Sequence, residues 1–155
     1  QTGRYIESST HRVSKDRNNW TLSIKTNEKR NDQILYIDEN EAVGVPIKLT
    51  SHLCQTLSLE KSNNNVEFFN YSKLTFPLKL RKWKSGDKIQ PLGMKGNKKI
   101  SDILIDSKIS TLEKENIYVL ESNNDIVWVI GILINERYKV DNNCSLFYKI
   151  AYQKN

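Results

Sequence analysis

The chain has 155 residues with a formal net charge of +6, and its 37% hydrophobic content is modest but sufficient for a core at this length. That length suits one domain, or one domain with a piece of another, and no window approaches the ~18 uninterrupted apolar residues of a membrane helix. No charged-then-apolar leader pattern opens the chain, so it reads as soluble and cytoplasmic, with no membrane partner. Cys54 and Cys144 are too few and too far apart for a disulfide framework or a zinc ligand set, and read as reduced thiols. The chain starts at Gln1 and its only methionine is Met94, which reads as a fragment or a processed chain.

Residues 1–30 are polar and weakly patterned, although Trp20, Leu22 and Ile24 alternate with polar residues as in a half-buried strand. Asn27–Asp32 is a polar break. Ile34–Ile37 is a short apolar run, and Val45, Ile47 and Leu49 alternate around Pro46, which argues for a strand start or an edge. Leu57 and Leu59, the asparagines at 63–65 and Val66–Tyr71 predict a hairpin. Leu74, Phe76, Leu78 and Leu80 alternate with polar and basic residues, so one face of this strand should be core. Turns follow at Ser85-Gly86-Asp87 and at Gly93–Asn97. Ile100, Ile103 and Leu104 then sit at helical spacing within 98–107, and Ser110-Thr111-Leu112-Glu113 is a capping box that predicts a second short helix. Strand signals return at Ile117–Leu120, Ile126–Ile134, Arg137–Val140 and Ser145–Tyr152. The expected class is α+β: β-rich, read as an antiparallel meander with two short helices inserted before it.

The charge is concentrated. Lys79, Arg81, Lys82, Lys84, Lys88, Lys95, Lys98 and Lys99 face only Asp87 within 79–99, so this segment carries +7 and the rest of the chain −1. A charge run is ordinarily a solvated face. Here it is nearly unopposed, broken by two glycine turns and interleaved with Trp83, a pattern that points to a nucleic-acid phosphate grip. Trp83 reads equally as a ring that stacks on a base or as a core anchor.

Catalytic signals are weak. Neither G-x-x-x-x-G-K-[ST] nor G-x-G-x-x-G occurs, and Gly93-Met94-Lys95-Gly96 is too short to be either. His11 and His52 lack partners at metal-ligand spacing. Asp102 and Asp106 sit at i, i+4, a spacing that suits acid–base work or Mg²⁺. The simpler reading has Asp102 complementing a helix start and Asp106 pairing with Lys108.

The stretch from Leu78 to Val140, 63 residues, resembles the C-terminal domain of the bacterial tRNA(Ile)-lysidine synthase family. The residues that carry the resemblance are Arg81, Gly86-Asp87-Lys88, Pro91-Leu92-Gly93, Gly96-Asn97-Lys98-Lys99, Ser101-Asp102, Ile105-Asp106, Trp128-Val129 and Arg137-Tyr138-Lys139-Val140. Lys88 and Lys114 stand where the family favours arginine, which keeps the charge but not the bidentate fork. Ser110 stands where the family often has proline.

The resemblance implies an enzyme that adenylates the wobble cytidine of a minor isoleucine tRNA and attaches lysine, using ATP, Mg and L-lysine on an N-terminal PP-loop domain. It implies a fold with antiparallel sheets in a sandwich-like arrangement, and no catalytic residue and no cofactor in the present stretch, which would position tRNA, through acceptor-stem phosphates. The expected tRNA-binding residues are Arg81, Lys82, Lys84, Lys88, Lys95, Lys98 and Lys99, with Lys108, Arg137 and Lys139 as outliers. Residues 1–30 would be a linker or the end of a preceding domain, and 31–155 the tRNA-binding domain. The alternative is a protein-interaction or homodimerisation module whose lysines only solubilise it.

Overall fold

The computed structural model describes residues 4–16, 19–24, 33–39, 41–44, 46–55 and 64–154. Three strands come first: β1 (Arg4–Glu7), β2 (His11–Asp16) and β3 (Asn19–Ile24). They form an antiparallel sheet of their own, in the order β1-β2-β3. The predicted alternation at Trp20, Leu22 and Ile24 does make a strand, but not a half-buried one, because these side chains are 64%, 67% and 72% exposed. Arg12 ties this sheet to the rest of the chain through Glu115, at 2.7 Å.

The following strands are β4 (Leu35–Ile37), β5 (Lys48–Cys54), β6 (Val66–Asn70), β7 (Leu78–Lys82), β8 (Lys88–Ile89) and β9 (Lys98–Lys99). Next come helix α1 (Ile100–Asp106) and helix α2 (Thr111–Lys114), then β10 (Tyr118–Ser122), β11 (Asp125–Val129), β12 (Leu133–Ile134) and β13 (Phe147–Gln153). Five strands form one antiparallel sheet, β12-β11-β10-β7-β4, and three form another, β5-β13-β6. Ile37, Leu78, Leu80, Leu120 and Trp128 of the first sheet bury against Leu49, Phe69, Tyr148 and Ile150 of the second. The two sheets thus pack face to face as a sandwich, the arrangement that the family resemblance implies.

The five-stranded sheet is covered on both faces. Its reverse face carries Val119, Ile126 and Val129, which pack under Ile89, Ile100, Ile103 and Leu104 of β8 and α1. A bulge makes this possible. Leu120 pairs with Trp128 and Glu121 with Ile126, so Val127 is the extra residue. Val127 and Trp128 thereby both face the sandwich, while Ile126 turns to the helix side.

Several expected elements differ. The strand expected from Leu74 begins only at Leu78, after Pro77, which has no N–H to give to a ladder. The expected strand 126–134 breaks at a turn where Gly131 has φ +76°. Arg137 lies in a 3-10 turn (Glu136–Tyr138) rather than a strand, with Asn135 capping it by accepting from Arg137 N. Val66–Asn70 pairs with β13, while the other arm of the expected hairpin, at Leu57 and Leu59, lies outside the described residues, as do Val45 and the Asn27–Asp32 break. α2 carries the predicted capping box, Ser110 and Glu113 satisfying each other's backbone N–H.

Candidate nucleic-acid interface

The basic segment begins within β7 of the five-stranded sheet and then runs over the reverse face of that sheet, where Trp83 and Ile89 pack. Leaving β7, the chain enters a turn at Lys84–Asp87. Gly86 takes φ +94° there, Asp87 N donates to Lys84 O, and the Asp87 carboxylate accepts from Lys84 N at 2.7 Å. The backbone of Asp87 then accepts from Ile100 N at 2.9 Å, which fixes the turn against the end of β9 and the start of α1. β8 and β9 pair as a two-stranded ribbon, with Lys88 opposite Lys99 and Ile89 opposite Lys98. Ile89 is buried, so the ribbon is nailed down by one side chain and leaves Lys88 and Lys99 in solvent.

Arg81 departs furthest from its expected role. It was expected to contact phosphate, but its side chain is only 10% exposed. Its guanidinium forks onto both oxygens of Asp87, at 2.8 and 3.0 Å, and also onto Glu121 Oε1 of β10. Lys79 Nζ lies 2.9 Å from the other Glu121 oxygen, a charge partner that is not aligned as a hydrogen bond. Burial opposes the Arg81 charge, yet the hydrogen bonds to Asp87 and Glu121 outweigh it and hold the pKa above the ordinary arginine value. Arg81 therefore joins the basic turn to the sheet and is taken out of the set facing solvent. It also consumes Asp87, the one carboxylate within the basic segment.

The other expected contacts divide cleanly. Lys98 is half-buried and pairs with Asp106 at 2.5 Å, so Asp106 is engaged by Lys98 and not by Lys108. Arg137 pairs with Asp125 at 2.8 Å, and Lys139 pairs with Glu136. Lys84, Lys88, Lys95, Lys99 and Lys108 are exposed, and none has an ion pair among the described residues. Lys82 is half-buried, with its ammonium 5.9 Å from the centre of the Tyr118 ring. Six of the ten expected contacts thus have no carboxylate partner among the described residues.

Trp83 resolves toward an anchor. Its Nε1 donates to Lys114 O at 2.6 Å and its ring packs against the α1-side core. Asp102 and Asp106 are both exposed on α1, and no group of three or more His, Cys, Asp or Glu poised for a metal occurs among the described residues. Leu92 and Met94, which are not among the expected contacts, stand exposed in the loop between β8 and β9.

The described helices are all too short to cross a membrane. A family model for the TilS substrate C-terminal domain matches residues 78–149. A tRNA(Ile)-lysidine synthase of Parabacteroides distasonis is 39% identical over 147 residues, covering 92% of this chain and 33% of the relative. One of Bacteroides thetaiotaomicron is 32% identical over 153 residues, covering 97% of this chain and 34% of the relative. One of Clostridium acetobutylicum is 34% identical over 117 residues, covering 76% and 24%. The chain thus spans about a third or less of the length of these relatives. A crystal structure of a TILS C-terminal domain superposes with a TM-score of 0.68 at 19% identity, covering 78% of this chain and 97% of that one, which bears out the β-rich α+β fold. Motifs, fold and relatives agree, and the chain carries, at residues 78–149, a member of the TilS substrate C-terminal domain family.

Proposed function

We propose that this chain is the tRNA-holding part of a tRNA(Ile)-lysidine synthase, and that its basic layer grips phosphates of the tRNA. The observation that carries the reading is the Lys88–Lys99 pair. Two cations stand opposite each other in a short ribbon, with no carboxylate partner among the described residues. Directly opposed like charges destabilise a sheet. A bound polyanion removes that repulsion, and Lys84 on the adjoining turn and Lys95 in the connecting loop extend the same field.

The grip is expected to tolerate sequence. A-form RNA hides its major-groove base edges and offers phosphates, 2′-hydroxyls and overall shape. Residues 31–155 form the tRNA-binding domain in this reading, and 1–30 a linker or the end of a preceding domain. The complete enzyme would use ATP, Mg and L-lysine to adenylate the wobble cytidine and attach lysine. That chemistry is assigned to a PP-loop domain, and the residues here position the substrate.

Salt tests the reading. Six free lysines (Lys82, Lys84, Lys88, Lys95, Lys99 and Lys108) give a slope of log K against log salt of roughly −4 to −5. A flat response overturns it in favour of a protein-association surface.

A further inference from the structure

The loop between β8 and β9 has a property that a phosphate grip does not require. Leu92 and Met94 are 55% and 46% exposed. The backbone under them is nevertheless tightly held. Met94 N donates to Pro91 O at 3.0 Å, and Gln90 Nε2 donates to Met94 O at 2.7 Å. Gly93, at φ +78°, donates its N–H to Glu136 Oε2 at 2.7 Å, and Glu136 N donates to Gln90 O at 2.9 Å. Pro91 bridges to Asn135. The loop is thus fixed at its base, with two apolar side chains held outward. Lys95 follows directly, and Lys88 and Lys99 flank its two ends.

We propose that Leu92 and Met94 form an apolar platform that seats on the open base face at the end of an RNA stem, while the surrounding lysines hold the phosphates beside that end. The proposal rests on the phosphate-grip reading above. Charge selects the class of partner, because an apolar loop that carries Lys95 and runs between the strands of the unpaired Lys88 and Lys99 suits a polyanion that also has an apolar face. Inside a duplex every base face is covered by its neighbour, and the deep, narrow A-form groove excludes side chains. The last base pair of a stem is where such a face lies open. Leu and Met are among the aliphatic side chains that proteins press against base steps. Platforms for single strands use aromatic rings instead, and residues 90–97 contain none. The platform would make the domain sensitive to where a stem ends, a specificity that phosphate contacts alone do not supply.

The test compares two RNAs with the same stem, one open at its end and one closed at both ends by loops, binding to the 155-residue chain. The open stem is expected to bind about 5–10-fold more tightly, the order of gain from burying part of two aliphatic side chains. The double variant Leu92→Ser with Met94→Ser should lose this preference while keeping the affinity for the closed RNA and the salt slope. The swap Leu92→Met with Met94→Leu should retain the preference. Equal binding of both RNAs by the unaltered chain overturns the platform and leaves the grip standing. So does a preference that survives the double serine variant. Binding of neither RNA overturns the grip, and the platform with it.

Discussion

Lys88 and Lys99 are cross-strand partners in a ribbon of two residues per strand, and both project into solvent without a carboxylate partner among the described residues. Neighbouring positions solve the same problem differently: Lys98 finds Asp106, and Lys79 finds Glu121. Under the proposed phosphate grip, the Lys88–Lys99 pair is where an external anion would sit. Lys99→Gln should therefore move stability and binding in opposite directions. Relief of the repulsion raises stability by roughly 0.3 kcal/mol at low salt, and loss of one phosphate contact makes the salt slope shallower by about 0.7–0.9. Urea unfolding and tRNA binding at several salt concentrations check the two signs.

Arg81 should behave in the reverse manner. Arg81→Ala leaves Glu121 buried without its strongest partner and detaches Asp87 from the sheet. The expected loss of stability is about 3 kcal/mol, in the range for breaking a buried pair by removing one member. Arg81→Lys should recover only part of it, because an ammonium does not fork onto two carboxylates. The midpoint of urea unfolding for the two variants checks both values.

Gly93→Ala tests how far the apolar loop depends on its backbone. A Cβ at this position meets nothing within 4 Å, so steric contact costs nothing. The cost is the left-handed backbone at φ +78°, about 1 kcal/mol for a residue with a side chain. Stability should fall by that amount. Preference for an open-ended stem should weaken, since the loop that carries Leu92 and Met94 is then strained. Differential scanning calorimetry and the two-RNA comparison read the two effects.

Tyr138 gives the fold an alkaline limit. Burial first, and its hydrogen bond to Asp125 second, push its pKa from 10.0 up to about 12. A pKa raised on folding contributes stability that is fully present below the unfolded value and is lost as pH rises through the folded one. The window is therefore about pH 10 to 12. Tyr138→Phe should flatten the fall of stability across that window relative to the unaltered chain, leaving neutral pH behaviour similar apart from the lost hydrogen bond. Unfolding midpoints measured from pH 9 upward, on both proteins, check it.

Much of the fold was readable from local pattern. The capping box at Ser110, the helical spacing of Ile100, Ile103 and Leu104, and the alternation along β7 each report a short-range physical rule. What the pattern could not show was that the sheet is covered twice. Arg81 looked solvent-facing because its strand neighbours Leu78 and Leu80 already supplied a core face. The helix whose apolar side chains cover the other face comes twenty residues later in the chain. A signal did exist: a helix bearing Ile100, Ile103 and Leu104 needs an apolar surface to cover, and the reverse face of the sheet is the one available. The exposed Trp20, Leu22 and Ile24 fail in the opposite sense, since alternation predicts a strand without saying what will lie against it.

The central claim is that the free lysines of the basic layer, and not the paired ones, hold RNA. The most direct measurement is the salt slope of tRNA binding for the quadruple variant Lys84→Gln, Lys88→Gln, Lys95→Gln and Lys99→Gln beside the unaltered chain. The account predicts a slope shallower by about 3 in the variant, from four lost contacts at 0.7–0.9 each, with an unfolding midpoint equal to or above that of the unaltered chain. An unchanged slope and affinity in the variant would contradict it.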